Sequence, residues 1–127
     1  MDINELNDKL KEFKAEEFVW IIYIGIIILS FYSNDLERKY FINNDLESKK
    51  KYIDLMIIIF TVLLIIYIYF AKSSLDEVRN LKQNDSRNKK RLTYLSFVGS
   101  FLILISGIIF LYIAFQNENL DVELAFN

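Results

Sequence analysis

One stretch limits what this chain can fold into more than any other. It is LTYLSFVGSFLILISGIIFLYIAF, residues 92–115. It holds no charge, no proline and no polar group larger than a hydroxyl. As a helix it reaches about 36 Å at about 1.5 Å per residue, enough to cross a hydrocarbon core about 30 Å thick with some tilt. Two more apolar runs precede it, at residues 18–32 and 53–71. A water-soluble domain of 127 residues would have to hide all three inside a core, and the surface-to-volume relation makes that hard for so short a chain. The chain is 54% hydrophobic yet 25% charged, and the two coexist because the charges, Asp54 apart, lie between the runs rather than within them.

The expectation is an all-α integral membrane protein with a single domain over residues 1–127. Its three transmembrane helices cover about residues 18–33, 52–71 and 92–115, extended on the cytoplasmic side. Residues 1–17 read as an amphipathic helix. Ile3, Leu6, Leu10 and Phe13 recur at three, four and three, which puts them on one face. Asp2 followed by Glu5 resembles a capping box. Acids outnumber lysines on the polar face, which argues against a membrane-surface helix, so the stripe is expected to pack on its own protein. A net positive start and a cleavage site are both missing, so these residues do not read as a signal peptide.

The first run, 15 residues, is near the short limit for a span. Residues 33–51 read as a polar outer loop with an echo: Asn34-Asp35-Leu36-Glu37 returns as Asn44-Asp45-Leu46-Glu47. Asn-Asp suits helix starts, and no glycine stands where a calcium loop needs one. Residues 72–91 read as a basic inner loop that closes with the anchor Lys89, Lys90 and Arg91 against the third span. Asn84-Asp85-Ser86 supplies its turn. Residues 116–127 form an acidic outer tail in which Leu120, Val122, Leu124 and Phe126 alternate with other residues. Strict alternation predicts a strand, and 40–43 is its expected partner in a short extracellular strand pair.

Several chemistries lack their residues. The chain has no cysteine and no histidine, which removes disulfides, thiol catalysis and thiolate metal sites and any side chain with an ordinary pKa near neutrality. Among the spans only Asp54, at a mouth, is ionisable, whereas transport paths usually need such groups inside. No glycine-rich phosphate loop is present. The expectation is therefore no enzyme, no cofactor, no catalytic residue and no metal site. A net charge of −2 gives no basic field for nucleic acid.

The plan of length, amphipathic start and three spans resembles the small bacterial diacylglycerol kinases. That family keeps functional acids in a Glu-x-x-Asn segment at the second span. Here the span reads IDLMIIIFTVLLIIYIYF, with neither glutamate nor asparagine, so the resemblance carries no residue and no activity. Phage holins of three spans typically end in a basic tail, and this tail is acidic.

The third span holds small residues close to one face: Ser96, Gly99, Ser100, Gly107 and Ala114. Small faces let helices approach when lipid is as apolar as leucine. The face serves either a contact within the chain or a seam between copies. With the N-terminus inside, ten Lys and Arg fall on the inner side and five on the outer, which favours N-inside and C-outside in a bacterial plasma membrane. Partners are the lipid bilayer and a second copy or another membrane protein. The functional expectation is a binding, regulatory or immunity-type membrane protein. The alternative is an oligomeric pore of the holin or small-channel type.

Overall fold

A computed structural model describes residues 2–116. Three helices follow in order: α1 (Ile3–Asn43), α2 (Leu46–Arg79) and α3 (Arg87–Phe115). Each is long and apolar enough to cross a membrane. The chain is an all-α, three-span membrane protein. It divides into two compact units, one ending at Tyr52 and the other starting at Ile53.

In the first unit, α1 is one uninterrupted helix of 41 residues. The chain has no proline to break it. The apolar run of the first span sits inside a helix about 61 Å long, which is long and apolar enough to cross a membrane. Apolar side chains occupy both the buried positions, such as Val19 and Ile26, and exposed ones, such as Trp20, Ile24 and Ile28. A helix that is apolar all round belongs in hydrocarbon. Ser30, buried, donates its hydroxyl to the Ile26 carbonyl at 2.8 Å, so this hydroxyl is not stranded.

Four expectations change here. Residues 33–43 are helix rather than loop, and Lys39 pairs with Asp35 one turn away at 3.4 Å, the geometry that supports an exposed helix. Tyr40 and its neighbours to Asn43 are therefore helical and form no strand, while Leu120, Val122, Leu124 and Phe126 lie outside the described residues. The N-terminal stripe of Ile3, Leu6, Leu10 and Phe13 is exposed rather than covered. Asp2 makes no side-chain cap; its carbonyl accepts the Leu6 amide instead.

Asn44 ends α1 in the left-handed region, φ 56° and ψ 33°, with its amide on the Tyr40 carbonyl at 2.8 Å. Asparagine is among the few residues that enter that region readily. Asp45 then starts α2. Its carboxylate accepts the Glu47 amide at 3.1 Å and the Ser48 hydroxyl at 2.8 Å. The first loop thus contracts to two residues, Asn44 and Asp45. The echoed tetrapeptide meets two fates: the first copy lies inside α1, the second makes a helix start. Beyond the turn, the Lys49 ammonium lies 5.3 Å from the Tyr40 ring centre, within cation–π range.

The second unit is a helical hairpin of α2 from Ile53 onward and α3. The second loop shortens to residues 80–86 because α2 continues to Arg79. Asp85 shapes this shorter loop by accepting the Lys82 amide at 2.7 Å and the Lys89 ammonium at 3.2 Å. Ser86 starts α3 by accepting the Lys89 amide at 3.1 Å.

Candidate functional site

One row of α3 residues that lose exposure follows a regular rhythm, with Ser106, Phe110 and Ile113 half-buried beside it. Thr93, Phe97, Ser100, Leu104, Gly107, Leu111 and Ala114 are buried or half-buried, at alternating steps of four and three. That is a period of 3.5, the repeat of a left-handed supercoil. Every seventh position is small: Thr93, Ser100, Gly107 and Ala114. The positions between them are large: Phe97, Leu104 and Leu111. On α2, Ile59, Phe60, Leu63 and Ile66 are buried.

Three contacts fix how the hairpin closes. Toward the loop that joins α2 to α3, the hydroxyls of Ser74 and Ser100 are 2.9 Å apart. Seven residues along each helix, Tyr67 meets Gly107. A Cβ on Gly107 would lie 2.8 Å from Tyr67 Cδ2 and 3.2 Å from its Cε2. The ring therefore uses the space that glycine leaves, and even alanine would displace it. A further seven residues along α2, Phe60 stacks on Phe110 with centroids 5.5 Å apart and rings 12° from parallel. Alternation of small and large lets the backbones approach while aromatic rings fill the gaps.

Of the small residues read from the sequence, the structure brings Ser100, Gly107 and Ala114 to this side of α3. Ser96 and Gly99 are exposed, and a Cβ on Gly99 would meet nothing within 4 Å. Sequence reasoning did not assign Ser74, Tyr67 or Thr93 to this seam. A search of the third span for one residue class every seven positions would have found Thr93. Ser74 and Tyr67 needed the pairing register of the hairpin.

The basic anchor is held by local bonds. Lys89 bridges to Asp85, Lys90 Nζ donates to the Gln83 carbonyl at 3.0 Å, and Arg91 Nη2 donates to Asn88 Oδ1 at 2.9 Å. The hydrogen bond from the Lys82 amide, helped by Lys89, holds the Asp85 carboxyl below the usual carboxylate range. At the other connection the Ser48 hydroxyl, with the Ser48 and Glu47 amides and the Lys51 charge, lowers Asp45 in the same way.

Chemically, the seam offers hydroxyls that bond to each other or to their own helix. Thr61, facing outward on α2, donates to the Ile57 carbonyl at 2.7 Å. Among the described residues, no group of three or more acids gathers to hold a metal ion. No protein-family model matches the chain, and neither a curated protein nor a solved structure resembles it. Fold and seam together define the class: a small three-span membrane protein with a close-packed α2–α3 hairpin.

Proposed function

We propose that this protein is a non-enzymatic membrane protein that works by binding, of the regulatory or immunity type, with the Ser96–Gly99 side of α3 offered to another transmembrane helix. The observation that carries this reading is the open space at Gly99. A glycine in a span gains nothing from its missing side chain unless another backbone comes close, and among the described residues none does. The partner is another membrane protein or a second copy of this chain.

The distribution of polar atoms supports binding over conduction. Ser30, Thr61, Ser74 and Ser100 use their hydroxyls within a helix or between α2 and α3, whereas a conducting path keeps polar groups directed into its lumen. The residue set also favours a protein without catalysis, since histidine and cysteine are missing throughout. The bacterial plasma membrane, with the N-terminus inside, belongs to the same proposal.

The lack of native cysteine makes the test clean. Ser96→Cys in the otherwise native chain should form a disulfide or a maleimide-linked adduct in intact membranes, and Ser100→Cys should form neither. Equal yields from both positions would remove the Ser96–Gly99 side as a binding face. Ion flux through liposomes that carry the purified chain, well above empty liposomes, would replace the binding reading with a pore.

A further inference from the structure

We propose that Arg87, Asn88 and Arg91 form a binding site for the headgroup of an anionic phospholipid. The acyl chain would lie along the side of α3 that continues from them. This goes beyond the binding function above, because it names lipid as a specific ligand at a different side of the helix.

Arg87, Asn88 and Arg91 line an open cleft of about 580 Å³ at the start of α3. Arg87 and Arg91 are one helical turn apart, so their side chains lie on one face, with Cβ atoms about 5–6 Å apart. Among the described residues no ion pair ties either guanidinium to an acid: Asp85, the one carboxylate of the inner loop, is engaged by the Lys82 amide and by Lys89. Asn88 accepts from Arg91 Nη2 at 2.9 Å. That bond orients the planar fork and turns the Asn88 carbonyl, not its amide N–H groups, toward Arg91, so those N–H groups can donate to a ligand. Two guanidiniums and an amide suit a phosphate diester, since Arg presents parallel donors that match phosphate oxygens.

The residues beyond Arg91 on the same face identify the ligand as a lipid. Leu95, Val98 and Leu102 come at successive turns, and Leu95 and Leu102 are 58% and 59% exposed. Arg91 is the last residue before the uncharged run begins at Leu92, which sets the guanidiniums at headgroup depth. Half of a hydrocarbon core, about 15 Å, corresponds to about ten helical residues. That reaches from Leu92 to Leu102, so one acyl chain covers the three side chains. A soluble phosphate would use the cationic end and gain nothing from the apolar stripe. The lysines do not serve this site, because Lys89 and Lys90 are turned to Asp85 and to the Gln83 carbonyl.

The experiment measures phosphatidylglycerol binding to the full-length chain in a neutral detergent, by native mass spectrometry over a lipid titration. A basic residue at the membrane surface is worth about fivefold in affinity for anionic lipid. Arg87→Gln and Arg91→Gln should each raise the Kd about fivefold, and the pair about 25-fold. Lys50→Gln with Lys51→Gln, the same charge change elsewhere, should leave the Kd within about twofold. Glycerophosphate, which has the headgroup and no chains, should fail to displace the lipid. An unchanged Kd in the arginine pair, an equal loss in the lysine pair, or displacement by glycerophosphate would each overturn the proposal. Should the glutamine pair fail to fold, Arg87→Lys with Arg91→Lys keeps the charge and loses the fork. A Kd raised several-fold supports the site, and an unchanged Kd overturns it.

Discussion

The hydroxyl oxygens of Ser74 on α2 and Ser100 on α3 lie 2.9 Å apart, one helix donating to the other across the hairpin. In a bilayer, water does not compete for such a pair. Its value is still modest, because the unfolded-in-membrane chain also finds partners, and side-chain bonds between spans average about 0.6 kcal/mol and reach about 1.7 kcal/mol. A double-mutant cycle of Ser74→Ala and Ser100→Ala, read by unfolding in mixed detergent, should return a coupling in that range. A coupling indistinguishable from zero would mean that the two hydroxyls act independently.

The two glycines of α3 should respond in opposite ways. Gly107→Ala places a methyl 2.8 Å from the Tyr67 ring, and overpacking of this kind costs about 1–3 kcal/mol. Gly99→Ala meets nothing within 4 Å, and gains up to about 1 kcal/mol of helix propensity. The thermal unfolding temperature of the purified protein should therefore fall for the first and hold or rise for the second. Tyr67→Ala, added to Gly107→Ala, should recover part of the loss. Equal losses at both glycines would contradict the assigned seam.

Both connections should weaken together in acid. Folding lowers the carboxyl pKa of Asp45, chiefly through the Ser48 hydroxyl, and of Asp85, chiefly through the Lys82 amide, from an ordinary 3.8. A group whose pKa is depressed in the folded state stabilises it above the unfolded value. That contribution is lost as pH falls through the folded one. Stability should thus be level above about pH 5 and decline below the ordinary carboxylate value. Asp45→Asn with Asp85→Asn should flatten that decline. A profile that stays as steep in the double variant would place the acid sensitivity elsewhere.

Orientation rests on the charge count, ten Lys and Arg against five. A reporter fused after Asn127 should be active only if it is one that works outside the cytoplasm. Activity of a cytoplasm-only reporter at the same position would reverse the topology.

How far the sequence could be read depended on whether a feature was local. The uncharged run of α3 needs nothing beyond its own residues to be recognised, and it became a helix through Phe115. The extension of α1 to Asn43 was harder, because SNDLERKYFIN is as polar as a loop. It holds neither glycine nor proline, and Asp35 and Lys39 are spaced for a helical ion pair. Those two signals outweigh polarity once the preceding span has met the cost of helix nucleation. The echoed Asn-Asp misled for a related reason. Asn34 continues an established helix with no pause, while Asn44 takes a left-handed turn before Asp45. The seam was half legible. Small residues in a span suggest packing, but which of them meet α2 depends on how the two helices are registered, and no single helix encodes that.

The heptad spacing of the hairpin has a kinetic consequence. Ser74 faces Ser100, and Tyr67 faces Gly107. To slide α3 along α2 to the next position with the same rhythm requires a jump of seven residues, about 10.5 Å. Every smaller slip drives a large side chain into a small one's place or leaves a hole. The jump itself would bring Tyr67 against Ser100 or Ala114, where no glycine makes room for the ring, and would draw chain through the short loop that Asp85 ties. Packing thus opposes graded piston motion between these two spans. By that packing the two spans of the hairpin are expected to shift together rather than slide past each other.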